Sequence, residues 1–206
     1  MAKQERAVRT REALIRSAAE TFHREGFAVA SLTAISTRAG VSSGALHFHF
    51  ASKAALAGAV EGAALDRLRE ITGEWPPDGT GCLQRLVDVT HGLARGLRDE
   101  VVLRSGFELS GDVAHVPGVD LREHWRGWVE GAMVRAGAAG ELSPGVAPED
   151  AVTAVVAATV GFEVLGARDA AWLAPRTVAR FWELLLPRLA LPDVLGTLRA
   201  AGSGSE

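Results

Sequence analysis

The residues of this chain that could do chemistry do not have the spacing of an enzyme site. His47 and His49 are two positions apart, so on a helix their side chains point away from each other and do not share a metal ion. Cys82 is the one cysteine of the chain and has no activating motif around it. No serine lies in a nucleophile elbow, and there is no glycine-rich phosphate loop. These residues therefore predict neither catalysis nor a bound metal or cofactor.

The region around the two histidines is suited to contact with DNA. From Ser31 to Lys53 the apolar residues recur at helical spacing on both sides of Gly40, which allows a sharp bend because it has no Cβ. Two short helices joined by such a turn are typical of the helix-turn-helix, whose second helix enters the major groove. An ordinary corner between two helices of a bundle has the same pattern, and the pattern alone leaves both open.

Small or polar side chains stand where the second helix would begin, and none is bulky enough to prevent close approach to the bases. Lys53 follows in the first turn of a further helix, where its charge opposes the helix dipole and a phosphate partner would explain its presence. The residues predicted to contact DNA are Thr33, Ser42, Ser43, Gly44, His47, His49 and Lys53.

Charge is distributed unevenly along the 206 residues. The first 56 residues contain eight Lys or Arg and four Glu, a net charge of +4, whereas the whole chain carries −3. A basic head on an acidic body is suited to binding DNA at one end only. The N-terminus lacks the apolar core of a secretory signal, and no run of 18 apolar residues occurs, so we expect a cytoplasmic protein without a membrane span.

The apolar periodicity predicts an all-α chain with two domains and no internal repeat. We expect a helix-turn-helix DNA-binding domain over residues 1–52, which starts with a flexible arm over 1–8. A ligand-binding and dimerisation domain over 53–200 and a disordered tail over 201–206 should follow. The clearest break in the helical pattern is the proline-containing segment from Trp75 to Gly79.

Two predicted helices of the second domain, residues 149–167 and 178–189, are apolar on more than one side. They have more apolar surface than the core of a small domain needs, which predicts burial against a partner chain. Trp125 and Trp128 are three positions apart and so share one face of another helix. They either line an apolar ligand cavity or pack in the core, and their spacing leaves both open.

Residues 5–60 resemble the N-terminal domain of TetR-family transcriptional repressors. The motifs that carry the resemblance are Ala39-Gly40-Val41-Ser42, Gly44-Ala45-Leu46, His47-Phe48-His49-Phe50 and Ser52-Lys53. The family usually has Tyr at the position of His47, where an imidazole N–H can also donate to a phosphate. The resemblance implies a homodimer, joined through residues 149–167 and 173–189, that binds a pseudo-palindromic operator in double-stranded DNA.

Residues 80–190 resemble, more loosely, the γ-butyrolactone autoregulator receptors of actinomycetes and the related pseudo-receptors, which respond to antibiotics. Two motifs carry this resemblance, His47-Phe48-His49-Phe50-Ala51-Ser52-Lys53 and Trp125-Arg126, and in that group a tryptophan lines the signal pocket. The residues expected to form the pocket around Trp125 are Leu86, Val89, Thr90, Phe107, Trp128, Val156, Thr159 and Phe162. The implied function is a ligand-responsive repressor. The alternative is a helical-bundle small-molecule-binding protein or enzyme without operator-specific DNA binding.

Overall fold

The computed structural model describes residues 2–75 and 81–204 of the chain, with side chains from Gln4 onward. The helices are α1 (Ala2–Glu25), α2 (Leu32–Arg38), α3 (Ser43–His49), α4 (Lys53–Thr72), α5 (Cys82–Asp99), α6 (Val101–Ser110), α7 (Leu121–Ala138), α8 (Pro148–Gly166), α9 (Pro175–Leu189) and α10 (Pro192–Leu195), with a 3₁₀ turn at Ala170–Leu173. Within the described ranges the β-type pairing is limited to an isolated antiparallel bridge between Leu142 and Ala190. The predicted all-α class is therefore confirmed. None of the described helices is long and apolar enough to cross a bilayer.

Serine side chains define where three of the N-terminal helices begin. Ser31, Ser42 and Ser52 each accept the backbone N–H three residues later, at 3.1, 3.2 and 3.1 Å. Each hydroxyl satisfies an N–H group that has no partner within the first turn of its helix. The local sequence therefore determines the starts of α2, α3 and α4.

The chain forms two compact units. The first comprises the residues up to Leu68 together with Glu100–Leu121, and the second comprises Arg69–Asp99 together with the residues from Arg122 onward. These units do not coincide with the predicted division between residues 52 and 53, because most of α4 and all of α6 belong with the N-terminal helices.

The core of the first unit joins α1, α2, α3 and α4. Its members include the buried side chains of Leu14, Phe22, Ile35, Leu46 and Leu56. Helix α6 also packs against α1, where the Nδ1 atom of His23 lies 2.9 and 3.0 Å from the carboxylate oxygens of Glu108.

The second unit contains α5, α7, α8 and α9 around a core that includes the buried side chains of Leu86 and Trp182. A buried carboxylate caps the N-terminus of α5, because Glu141 accepts the backbone N–H groups of Cys82 and Leu83 at 2.9 and 2.8 Å. A negative charge at this position also complements the helix dipole.

The predicted flexible arm over residues 1–8 is wrong for its described part, because α1 already begins at Ala2. Gln, Glu, Arg and Ala favour helix, and neither Gly nor Pro interrupts them. The predicted disordered tail is also wrong where it is described, since Gly202 is buried and Ser203 donates its backbone N–H to Asp88 at 2.7 Å. Residues 205 and 206 of that tail, and residues 76–80 of the predicted break, lie outside the described residues.

Candidate DNA interface and candidate ligand site

A glycine and a backbone hydrogen bond shape the turn between α2 and α3. Gly40 has a φ of +67°, a conformation that a side chain would strain. The N–H of Val41 donates to the carbonyl of Ser36 at 3.0 Å. Ile35 on α2 and Leu46 on α3 are completely buried. Both helices are therefore held on the core by one side, and the opposite side of α3 is exposed.

Most of the residues predicted to contact DNA lie on the exposed surface of α2 and α3. The exposed ones are Thr33, Ser42, Ser43, Gly44 and His47, while His49 is half-buried. Ser43 and His47 are four positions apart on α3 and so project from the same face of the helix. This geometry gives α3 one short polar surface.

Gly44 follows Ser43 in the first turn of α3 and is exposed. A Cβ built at Gly44 meets no heavy atom closer than the Oγ of Ser42, at 3.9 Å. The fold of the chain itself therefore has space for a larger residue at this position. If a larger residue here prevents DNA binding, the restriction comes from the DNA.

Lys53 does not have the geometry predicted for a phosphate contact. Its Nζ donates to the backbone carbonyls of Phe27, Ala28 and Ala30 at 2.7, 3.0 and 3.1 Å, and lies 4.7 Å from the ring centroid of Phe27. An ammonium group has three donors, and all three are used within the protein. The positive charge at the start of α4 is thus explained by the carbonyl groups that follow α1.

An exposed aromatic residue next to the polar surface was not among the predicted contacts. Phe48 is 82% exposed and meets His49 edge-on, with ring centroids 5.2 Å apart, whereas Phe50 is buried. The alternation of aromatic and histidine residues does not show by itself which phenylalanine faces outward. The positions of Leu46 and Phe50, four apart on the inner face, are the signal that could have identified Phe48 as exposed.

Trp125 on α7 is buried and bonded to α8. Its side chain is 1% exposed, and its indole Nε1 donates to the hydroxyl of Thr159 at 2.7 Å. That hydroxyl in turn donates to the carbonyl of Val155 at 2.8 Å. The tryptophan predicted for the pocket wall therefore has a satisfied polar group and a fixed orientation.

The other predicted pocket residues are divided between the two units. Phe107 lies on α6 and belongs to the first unit, whereas the rest lie on α5, α7 and α8 of the second unit. The buried ones on α5 are Leu86, Val89 and Thr90. On α8, Val156 and Phe162 are half-buried, and Phe162 packs edge-on against Phe181, with ring centroids 5.8 Å apart.

Three tryptophans of the second unit form a continuous stack. The ring of Trp128 lies 5.4 Å from that of Trp125 and 5.2 Å from that of Trp75, with an interplanar angle of 17° in both pairs. The guanidinium carbons of Arg85 and Arg135 lie 5.3 and 4.7 Å from the centre of the Trp75 ring. Trp75, Arg85 and Arg135 were not predicted as site residues, because the contacts join positions far apart in the sequence.

A separate groove of about 770 Å³ lies between α7 and α8. Its apolar side chains include Met133, Val152, Val156 and Val160. Arg126 is part of its lining and binds Glu123 on the same helix, and this hydrogen bond lowers the pKa of the Glu123 carboxyl. Val156 is the one predicted pocket residue that lines this groove.

The sequence is similar to known regulatory proteins over nearly its whole length. Residues 14–60 match the family described as bacterial regulatory proteins, tetR family. The chain is 34% identical to the A-factor receptor protein of Streptomyces griseus over 208 aligned residues, which cover 98% of this chain and 71% of that protein.

Solved structures agree with this relationship. A γ-butyrolactone receptor described as an ArpA-like protein superposes with a TM-score of 0.79 at 27% identity, covering 95% of this chain and 96% of that one. CprB of S. coelicolor A3(2) superposes with a TM-score of 0.80 at 27% identity, covering 93% and 95%. CprB in complex with its biological operator sequence gives a TM-score of 0.75 at 27% identity, covering 93% and 94%. The chain belongs to the TetR family of bacterial regulatory proteins.

Proposed function

We propose that this protein is a homodimeric transcriptional repressor that binds a pseudo-palindromic operator and is released from it by a small signalling molecule. The observation that carries the proposal is the exposed surface of Ser43, Gly44 and His47 on α3, a helix held in place by the buried Leu46. Family membership and the CprB–operator complex of a relative support it. We propose no catalytic activity for the chain.

The residues of the exposed surface have separate roles in this proposal. Ser43 and Gly44, in the first turn of α3, would approach the base edges in the major groove. His47 would donate an imidazole N–H to a phosphate, and the exposed ring of Phe48 would contact a thymine methyl group. Thr33 and His49 would contact the backbone at the margins of this surface.

Exposed apolar side chains on the second unit favour a dimer. Leu184 on α9 is 82% exposed, and Val164 and Leu165 on α8 are 48% and 42% exposed. Helix α8 buries one face within its own unit, at Ala151, Val155, Thr159 and Glu163. A second copy of the chain would cover the remaining apolar surface, and a dimer would place two copies of α3 about one DNA turn, roughly 34–36 Å, apart.

The ligand in this proposal binds in the second unit beside Trp125. Relatives of the chain include an A-factor receptor and a γ-butyrolactone receptor, so a small lactone or an antibiotic is the proposed class of signal. Most of the predicted pocket residues are apolar, with Thr90 and Thr159 as hydrogen-bonding groups.

The proposal is tested by capturing genomic DNA on the purified protein and repeating the binding with single recovered sequences in a mobility-shift assay. We expect sequence-selective binding with a steep dependence on salt concentration, and release by γ-butyrolactones or by culture extracts of antibiotic producers. Ligand binding without selective DNA binding would instead support a small-molecule-binding protein of the same fold.

A further inference from the structure

We propose that the affinity of this protein for its operator is controlled by pH, through protonation of His47 and His49 on helix α3. The proposal rests on the operator binding proposed above and names a regulation of that same surface. Both histidines belong to the first unit, which contains the whole helix-turn-helix.

Helix α3 has no permanent charge. Its residues, Ser43–His49, include no Asp, Glu, Lys or Arg, and the two histidines of its last turn are its ionisable side chains. Histidine is the side chain whose charge ordinarily changes between about pH 5 and 8. The charge that α3 presents to DNA therefore depends on pH, because it increases from zero by one positive charge for each histidine that is protonated.

The histidines of α3 differ in their partners from other histidines of the chain. His47 is exposed and His49 is half-buried, and neither imidazole has a hydrogen-bond partner in the described part of the chain. Histidines that do hydrogen-bond within the protein are His23 to Glu108 at 2.9 Å, His115 to Glu61 at 2.7 Å and His91 to the carbonyl of Ala200 at 2.9 Å. The imidazole nitrogens of α3 are therefore left for an acceptor outside the protein.

The elements packed against α3 offer its histidines cations or charges that are already paired. On α1, the guanidinium carbon of Arg11 lies 5.5 Å from the centre of the Phe50 ring at the end of α3. On α2, Arg38 is paired with Glu20 of α1 at 3.5 Å, and at the start of α4 the ammonium group of Lys53 binds backbone carbonyls. None of the ion pairs between described residues includes a histidine of α3. A DNA phosphate would thus be the anion that an imidazolium of α3 gains on binding.

Protonation should strengthen the contact with DNA. A neutral imidazole donates one N–H, whereas an imidazolium donates two and adds a positive charge. Hydrogen bonds from a charged donor to phosphate are about twice as strong as those between neutral groups. Because the DNA-bound state favours the protonated form, operator binding takes up protons, and the affinity rises as the pH falls through the range in which histidine titrates. Neutral imidazoles still donate, so binding weakens at high pH without being lost.

The test measures the affinity of the full-length protein for a labelled operator duplex, recovered by genomic capture, by fluorescence anisotropy at about pH 6 and about pH 8. We expect the wild type to bind about tenfold more tightly at the lower pH, with a slope of log affinity against log salt concentration steeper by about one for each histidine that is protonated. His47→Gln and His49→Gln each keep an amide N–H donor that cannot be protonated. Each should keep the affinity measured at about pH 8 and lose part of the gain at about pH 6, and the double variant should bind equally at both.

His124→Gln is the matched control, since His124 is an exposed histidine of α7 in the other unit, and we expect it to keep the pH dependence of the wild type. The proposal is overturned if the wild type binds operator equally at the two pH values, or if the double variant is as pH-dependent as the wild type. In both cases operator binding is still observed and the proposed function stands. Absence of selective DNA binding at both pH values would contradict the proposed function and this regulation with it.

Discussion

At the scale of single residues, the partners of Lys53 decide between a DNA contact and a structural role. Three carbonyls after α1 accept from its ammonium group, and the Phe27 ring lies against it. A phosphate contact would require at least one of these hydrogen bonds to break. Binding DNA through Lys53 would therefore loosen the loop that joins α1 to α2.

Lys53→Met should lower the free energy of unfolding by about 1–3 kcal/mol, because the carbonyls lose a charged donor. It should leave unchanged the slope of log affinity against log salt concentration in operator binding. Urea denaturation and mobility-shift assays at several salt concentrations measure the two effects, with Arg16→Met, an exposed cation of α1, as the control. If the Lys53 variant is as stable as the wild type and its salt slope is lower by about one, Lys53 contacts phosphate after all.

Gly44→Val should abolish operator binding while leaving the melting temperature nearly unchanged. The fold has space for the side chain, whereas a major-groove contact through the first turn of α3 has none. Gly58→Val is the matched control, since Gly58 is an exposed helical glycine of α4 with open space around it. Operator binding of native affinity by the Gly44 variant would refute the placement of α3 in the groove.

At the scale of elements, the crossing of α4 and α6 depends on a glycine. A Cβ at Gly106 on α6 would overlap with the Cβ of Ala64 on α4 and lie 3.1 Å from a methyl group of Leu121. Helix α6 also bonds to α1 through Glu108 and His23, so it has little freedom to move away. The crossing is thus determined by a residue whose importance appears only in the folded structure.

Gly106→Ala should lower the free energy of unfolding by about 1–3 kcal/mol, the usual effect of overpacking, less the small gain in helix propensity. Gly62→Ala on α4 should be neutral or slightly stabilising, because nothing lies within 4 Å of its Cβ position. Urea denaturation of both variants provides the comparison. A Gly106 variant as stable as the Gly62 variant would show that α6 shifts without penalty.

Local chemistry explains which elements were predictable from the sequence. The serine caps of α2, α3 and α4 and the bend at Gly40 are properties of neighbouring residues, so the helix-turn-helix could be predicted. The roles of Lys53 and Trp75 depend on partners distant in sequence. The pattern alone predicted a phosphate contact for Lys53 and a break in the helical pattern at Trp75. The extension of α1 to Ala2 was missed because exposed charged residues suit a helix as well as a flexible arm.

At the scale of the whole molecule, the proposed dimer predicts the effect of a charge on α9. Leu184→Glu should convert the dimer to a monomer, because a charge buried at an apolar contact without a partner is strongly unfavourable. Val113→Glu, at an exposed valine after α6, is the control and should stay dimeric. Sedimentation velocity separates the species, and an unaltered dimer in the Leu184 variant would place the interface elsewhere.

The last prediction concerns the connection between ligand and operator. Helix α4 contributes residues up to Leu68 to the first unit and residues from Arg69 to the second, so its backbone runs without interruption from one unit to the other. A ligand releases the operator only if it binds more tightly to the state that does not bind DNA. Trp125 bonds to Thr159 and so connects α7 with α8. We propose that contacts between the ligand and Trp125 are stronger in the state that does not bind DNA.

Trp125→Phe keeps an aromatic ring, removes the N–H donated to Thr159 and leaves a small cavity in the core, so it should destabilise the protein by about 1–3 kcal/mol. Operator affinity should stay native, because α3 lies in the other unit, whereas release should require about tenfold more ligand or fail. Mobility-shift assays titrated with γ-butyrolactones and producer-strain extracts measure both, with Trp172→Phe at a partly exposed tryptophan as the control. Release of wild type and variant at the same ligand concentration would mean that Trp125 serves core packing alone, and that the preference for the released state originates at another contact of the second unit.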